Sequence, residues 1–386
     1  MSVSSPGSSR GAPPYRNRLG AFLPVLLTHL PHCRIMDSVT QIALGTAVGE
    51  AVAGRDAGNK APLWGAFFGL LPDLDVLANP FLTEIEALTF HRSLSHSLLF
   101  IAGVTLVAGY GLRRLHADRE ASAQRWALLV AAVLLTHVGL DCLTTYGTQI
   151  FWPFSHEPVI YGTIFIIDPL YTVPLLLGLG LSFRWTPGTP ARRWANYAGL
   201  ALSSAYLVFT VANKQYINHV FATALEQEVP HYERVFTAPT PFNNLLWQGI
   251  AETEAGFYVG QYSLLDSDRG INFRYVPKQH ELLGPNADHP IVQRLRRFSR
   301  GYFIVREAAG GDLLVHDLRF GRTDVGLTPS GQYIFTFRLP TTSDGRITAL
   351  ERADPPLQID GPLLRRFGTR ILGTPVPPPP PDAKSR

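Results

Sequence analysis

Three short stretches hold residue types that bind metals: Leu71-Pro72-Asp73-Leu74-Asp75, His91-Arg92-Ser93-Leu94-Ser95-His96-Ser97 and Thr136-His137-Val138-Gly139-Leu140-Asp141. Carboxylates and imidazoles are hard or borderline ligands. Six of them, Asp73, Asp75, His91, His96, His137 and Asp141, suffice for a one- or two-metal site holding zinc, with manganese or iron less favoured. Such a site suits metal-activated water attacking an ester. His137 and Asp141 are four apart, so on a helix they share a face and can hold one ion through a nitrogen and an oxygen. A buried His–Asp hydrogen bond fits the same spacing, and Asp-x-Asp is common in turns and caps. His91 and His96 are five apart and share no helical face. The metal reading therefore needs His91 in a loop and His96 in the first turn of a helix. Arg92 has the fork to clamp a phosphate or carboxylate, and a headgroup or a neighbouring Asp would also satisfy it. Ser93, Ser95 and Ser97 are candidate donors to the ligands, with helix capping the simpler role, above all for Ser95. Asp168, before Pro169, either caps a helix or joins the catalytic group. Tyr146, Gln149, Trp152 and His156 are candidate walls of the pocket; Trp152 and Tyr161 could instead anchor at the interface.

Each cluster ends an apolar run long enough for a membrane helix, where ionisable groups are costly and usually functional. The chain has 386 residues, 46% hydrophobic and only 17% charged, and the apolar residues concentrate before Asn213. The net charge of +4 and pI near 9.1 do not indicate nucleic acid, because no stretch joins clustered Lys/Arg to interleaved aromatics. Two cysteines, Cys33 and Cys142, are too few for a disulfide framework or a Cys-rich zinc site; Cys142 reads as a small buried residue. Six membrane helices are expected, at Ser38–Ala53, Ala61–Leu77, His96–Leu112, Trp126–Thr144, Thr163–Phe183 and Trp194–Ala212, against the roughly 20 residues that span a bilayer. The first, rich in Ala and Gly, should pack closely or enter part way. A soluble all-helical core is the alternative. Basic residues fall in alternate loops (Arg55 and Lys60; Arg113, Arg114, Arg119 and Arg125; Arg184, Arg192 and Arg193), which should be cytoplasmic. That orientation puts Asp37, Gln41, all six ligand candidates and Asp168 at the outer side.

Beyond Asn213 the pattern changes to apolar–polar alternation. Gly256–Tyr262, Tyr302–Val305, Leu313–His316 and Gln332–Phe337 read as strands, Gly310-Gly311 and Ser330-Gly331 as turns, and Asn218–Glu228 as a helix. The expected architecture is an α-helical polytopic membrane domain of about six helices followed by a β-rich soluble α+β domain. The boundaries are 1–35 as a disordered leader or mis-assigned start ahead of Met36, 36–213 as the membrane domain, 214–372 as an extracytoplasmic domain, and 373–386 as a Pro-rich tail.

These motifs, with Met36-Asp37-Ser38-Val39-Thr40-Gln41, Thr145-Tyr146-Gly147-Thr148-Gln149 and Trp152-Pro153, resemble the YdjM-type family of bacterial inner-membrane proteins from about Met36 to Asn213. Pro239-Thr240-Pro241-Phe242-Asn243-Asn244 is similar to the extra C-terminal domain of a longer subgroup. The resemblance implies a metal-dependent hydrolase in the inner membrane; more distantly the pattern is similar to zinc-dependent phospholipase C and P1-type nucleases. Members often carry His where this chain has Gln41, and an amide oxygen is a poorer zinc ligand. The expectation is a multi-pass hydrolase acting at the outer leaflet on a phosphoester or lipid-linked small molecule, in contact with membrane lipids and not with nucleic acid. Its rivals are a non-catalytic scaffold whose outer domain binds an envelope partner, and a transporter with a proton relay, which would need polar groups nearer the bilayer midplane.

Overall fold

Small residues set the first helix pair. In the computed structural model, which describes residues 35–229, 231–308, 310–328, 331–356 and 360–376, α1 (Ile35–Ala57) and α2 (Lys60–Leu70) run antiparallel with their backbones in contact. A methyl group added at Gly69 would meet the Gln41 carbonyl oxygen at 2.5 Å, so only glycine allows this approach. The expectation of a closely packed, Gly-rich first helix thus holds. After α2 the chain tightens into a 3-10 run, Leu71–Phe81, which has Pro72 in its first turn and carries Asp73 and Asp75.

Side-chain caps begin the next elements. Thr83 and Glu86 form a capping box for α3 (Glu84–Phe90). A 3-10 turn, Leu94–His96, leads to α4 (Leu98–Leu115), whose first turn is capped when the Ser97 hydroxyl accepts the Phe100 N–H. Ser122 caps α5 (Ala123–Leu143). Asp168 caps α6 (Pro169–Ser182), and α7 spans Pro190–Glu228. Among the described residues, four segments are long and apolar enough to cross a membrane: Lys60–Phe81, Leu98–Leu115, Ala123–Leu143 and Pro190–Glu228. Each of the six expected stretches contains a helix, but the fifth starts six residues late, because residues 163–168 are irregular and α6 begins only at Pro169, which leaves it a shorter apolar helix; α1 carries Glu50, Arg55 and Asp56 in its second half. The last membrane helix and the helix expected near Asn218–Glu228 are one continuous helix of 39 residues, about 58 Å long. The polar run Asn213-Lys214-Gln215 marks a change of surroundings there rather than a break, since it contains neither Gly nor Pro.

The C-terminal part has two four-stranded antiparallel sheets. The first is β1 (Arg234–Pro239), β2 (Leu246–Glu252), β3 (Gly256–Ser263) and β4 (Arg274–Pro277). The second is β5 (Phe303–Glu307), β6 (Leu313–Arg322), β7 (Tyr333–Leu339) and β8 (Glu351–Arg352). Both are simple meanders. Gly310 and Gly311, with φ of 106° and 91°, turn the chain between β5 and β6, as expected. Helix α8 (Pro290–Phe298) precedes the second sheet, and α9 (Gly361–Ile371) follows it. Ile250, Phe257, Val276, Ile304 and Leu318 form a core joining the two sheets.

Several contacts dock this part on the helices. The second half of α7 buries Ile217, Val220 and Phe221 against Trp247 and Tyr262 of the first sheet. Ile85 and Leu88 of α3 pack on the core of the second sheet and α8. Asn213 donates at 2.7 Å to both the carbonyl and side-chain oxygens of Asn244, which donates at 2.7 Å to the Thr163 carbonyl. The expectations for the leader up to Arg34, for the tail from residue 377, for Cys33, for Ser330 and for the side chain of Asp37 fall outside the described residues.

Candidate metal centre

Two helix ends and a turn converge here. Asp73 lies in the 3-10 run after α2, His96 closes the turn before α4, and His137 and Asp141 lie one turn apart near the end of α5. Four atoms meet. His96 Nε2 is 3.5 Å from Asp73 Oδ1, 3.2 Å from Asp141 Oδ2 and 3.3 Å from His137 Nε2. His137 Nε2 is 3.6 Å from both of those oxygens. A tetrahedron of ligands about 2.0–2.1 Å from a zinc ion has edges of about 3.3–3.4 Å. The five separations cluster around that length, and all four residues offer a ligand atom within 4.8 Å of the others.

Hydrogen bonding fixes which atoms face inward. The Gly69 carbonyl can only accept, so His137 donates from Nδ1 at 2.8 Å and its Nε2 carries the lone pair. The Ser95 hydroxyl donates its one proton to Asp75 Oδ2 at 2.9 Å, so it accepts from His96 Nδ1, also at 2.9 Å. His96 Nε2 therefore presents a lone pair too. When both imidazoles are neutral, two lone pairs 3.3 Å apart face each other, and a shared proton or a metal cation between them relieves the repulsion. Asp141 Oδ2, buried and without a hydrogen-bond partner among the described residues, is the third inward atom. The donor set, orientation and spacing fit a divalent cation.

Charged and polar neighbours hold the carboxylates. Asp141 Oδ1 accepts from Gln41 Nε2 at 3.1 Å and lies 3.3 Å from Arg92 Nη2. Arg92 also donates to Thr144 Oγ1 at 3.1 Å and lies 5.0 Å from the Tyr146 ring centre. Its side chain is buried and directed at Asp141. Its backbone has φ of +60°, uncommon for a residue with a Cβ, which lets its N–H reach Asp75 Oδ2 at 3.1 Å while its carbonyl accepts from Gln149.

Of the six ligand candidates, the structure brings together Asp73, His96, His137 and Asp141. Asp75 and His91 pair with each other: His91 Nδ1 lies 2.8 Å from Asp75 Oδ1. Asp75 is thereby committed to His91, Arg92 and Ser95. Asp168 does not join the group, because its oxygens accept from Leu170 N–H at 3.0 Å and from the Tyr206 hydroxyl at 2.7 Å. Capping falls to Ser97, while Ser95 supports a ligand, the reverse of the expected roles. Gln41 supports a ligand through its amide nitrogen. Trp152 is half-buried and His156 exposed in the loop after α5. Cys142 is buried, as expected.

Tyr146 links the centre to the C-terminal domain. One side of its ring meets Arg92 and His91, with His91 at 5.6 Å, and Phe298, Phe320 and Phe335 surround it at 5.5–6.4 Å. No sequence spacing pointed to these three phenylalanines, which come from α8, β6 and β7. The centre is closed on most sides: the side chains of His96, His137 and Asp141 are at most 1% exposed, whereas Asp73 is 14% exposed and neighbouring His91 15%. Access is on the Asp73–His91 side.

The family described as YdjM inner membrane protein matches residues 36–217. Inner membrane protein YbcI of Escherichia coli (strain K12) is 30% identical over 121 residues, which cover 31% of this chain and 68% of that protein. No solved structure matches the chain.

Proposed function

The chain belongs to the YdjM inner membrane protein family, and from that premise we propose that it is a membrane-bound, metal-dependent hydrolase acting on a phosphoester or lipid-linked ester at the outer leaflet. The observation that carries this reading is the convergence of Asp73 Oδ1, His96 Nε2, His137 Nε2 and Asp141 Oδ2 at metal-ligand spacing. A divalent ion there, zinc for preference, supplies Lewis acidity that lowers the pKa of water and polarises an ester oxygen.

The chain's own residues divide the remaining work. Gly69, Ser95 and Gln41 fix the ligands. Arg92 holds Asp141 and balances part of the carboxylate charge, so it is a positioning residue. His91 is the candidate acid–base group: Asp75 orients it through Nδ1, which leaves Nε2 to take or return a proton on the open side of the centre. Its ring centre is 6.0 Å from that of His96. The basic loops between α4 and α5 and between α6 and α7 favour a cytoplasmic position for their end of the bundle, which puts the centre and the C-terminal domain on the outer side.

The second reading is a metal-stapled scaffold. Four protein ligands can close a tetrahedral site, the arrangement of structural zinc. Metal content and turnover separate the two. Protein purified in detergent should hold about one equivalent of metal, and His137→Ala should lose it. Hydrolysis of a chromogenic phosphodiester such as bis-p-nitrophenyl phosphate should stop in His91→Ala while its metal is retained. Equal, negligible metal in wild type and His137→Ala would remove both readings. Full metal with no turnover on any phosphoester or lipid ester would leave the scaffold.

A further inference from the structure

The metal centre makes no use of a cationic cleft in the C-terminal domain. That cleft, of about 310 Å³, is lined by Arg234, Lys278, Arg296, Arg297 and Arg300, with Glu252 as its single acid. Glu252 is already committed: it accepts from Arg234 Nε at 2.5 Å and lies 2.8 Å from Lys278 Nζ. The three arginines at and beyond the end of α8 have no carboxylate partner among the described residues. Arg296 faces the Phe303 ring at 6.0 Å, Arg300 Nη1 reaches the Pro158 carbonyl at 3.5 Å, and the Arg297 side chain makes no hydrogen bond or ion pair among the described residues.

A helix C-terminus tolerates cations and accounts for one or two of these charges. It does not account for Arg234 on β1 and Lys278 after β4, which the fold brings to the same cleft from another sheet. Five cations against one acid repel one another, and an anion entering the cleft relieves that repulsion. Guanidinium forks match phosphate oxygens, and the cleft is large enough for a diphosphate or a glycerophosphate headgroup. Its contact with Pro158 puts it beside the loop 146–162, at the same end of the helices as Tyr146 and the metal ligands.

We propose that this cleft is a binding site for a phosphate-bearing anion, either a free phosphate compound or an anionic lipid headgroup. The inference does not depend on hydrolysis or on the metal. Arg296, Arg297 and Arg300 are exposed, so replacing them should leave the fold intact. The test uses the full chain. Calorimetric titration with inorganic pyrophosphate in a zwitterionic detergent probes the free compound. Co-sedimentation with phosphatidylglycerol versus phosphatidylcholine vesicles, after dilution of the detergent, probes the headgroup. Binding in the first arm alone identifies a soluble ligand, and preference for phosphatidylglycerol alone identifies the lipid; either supports the site provided that Arg296→Gln/Arg297→Gln weakens it about tenfold or more. Arg365→Gln/Arg366→Gln removes two exposed charges from α9, outside the cleft, and should change binding less than twofold. Absence of binding in both arms, or equal weakening by the two double variants, overturns the proposal.

Discussion

Two of the sets of ionisable groups buried in the helical half are built differently. Glu50 on α1 and Arg192 on α7 form a closed pair. Nε and Nη2 of the arginine meet the two carboxylate oxygens at 2.7 and 2.8 Å, and Nη1 donates to Asn59 Oδ1 at 2.8 Å. Each donor faces an acceptor, and the charges cancel. At the other set, Asp73, His96, His137 and Asp141 direct acceptors at one another. Matched partners read as architecture, whereas four convergent ligand atoms suit a cation. Burial alone, which both sets share, does not distinguish them.

That contrast can be broken by substitution. The largest effect is expected at the closed pair: Arg192→Ala leaves Glu50 buried and unpaired and should cost about 3–5 kcal/mol of stability, without changing metal content. Glu50→Leu/Arg192→Leu should restore much of the loss. Thermal unfolding in detergent, with metal analysis alongside, reads both. If Arg192→Ala also empties the protein of metal, the two sets are not independent.

Next is removal of the cation. Chelation should lower stability by about 4 kcal/mol relative to metal at 1,000 times its Kd, and zinc should restore it. His137→Ala should show no response to either treatment. A wild type equally indifferent to chelator and metal would make the second set ordinary polar packing.

A third ionisable group, outside both sets, calibrates the comparison. His316 on β6 bonds to Thr336 at 2.9 Å, and burial, with Arg306 nearby, pushes its pKa down to about 4. The unfolded chain takes up a proton near pH 6.5, which the folded domain refuses until about pH 4. Stability is therefore whole above pH 6.5 and falls as the pH drops toward 4, by at most about 3 kcal/mol. His316→Gln should flatten that slope in urea titrations at stepped pH. An unchanged slope would assign the acid sensitivity to other groups.

The smallest effect is at a supporting contact. Gln41→Ala frees Asp141 Oδ1 from one donor and should weaken metal affinity about 10- to 100-fold while leaving the protein folded. Competition with a fluorescent chelator measures it. An unaltered affinity would mean that Arg92 alone fixes the carboxylate.

Much of the centre was legible in the chain. His137 and Asp141 announce themselves by helical spacing, and Asp73 and His96 by their places at helix ends. Spacing could not choose Asp73 over Asp75 or His96 over His91, because the 3-10 run after α2 and the positive φ of Arg92 decide which side chains turn inward. Arg192 counts as a loop charge by position, yet it is buried against a residue 142 positions earlier. The strands with alternating patterns were visible. β2, buried on nearly every residue, shows no alternation and gave no such signal. The continuity of α7 was hidden by its change of polarity near Asn213.

That unbroken helix also constrains how the molecule is made. Its first half belongs among the apolar segments and its second half supplies Phe221 to the first sheet. A chain leaving the ribosome must therefore settle its last bilayer segment before the strands beyond can find their foundation. Residues 41–144, which hold the whole metal centre, are synthesised before either step, so the centre can assemble while the roof over Tyr146 has yet to be translated.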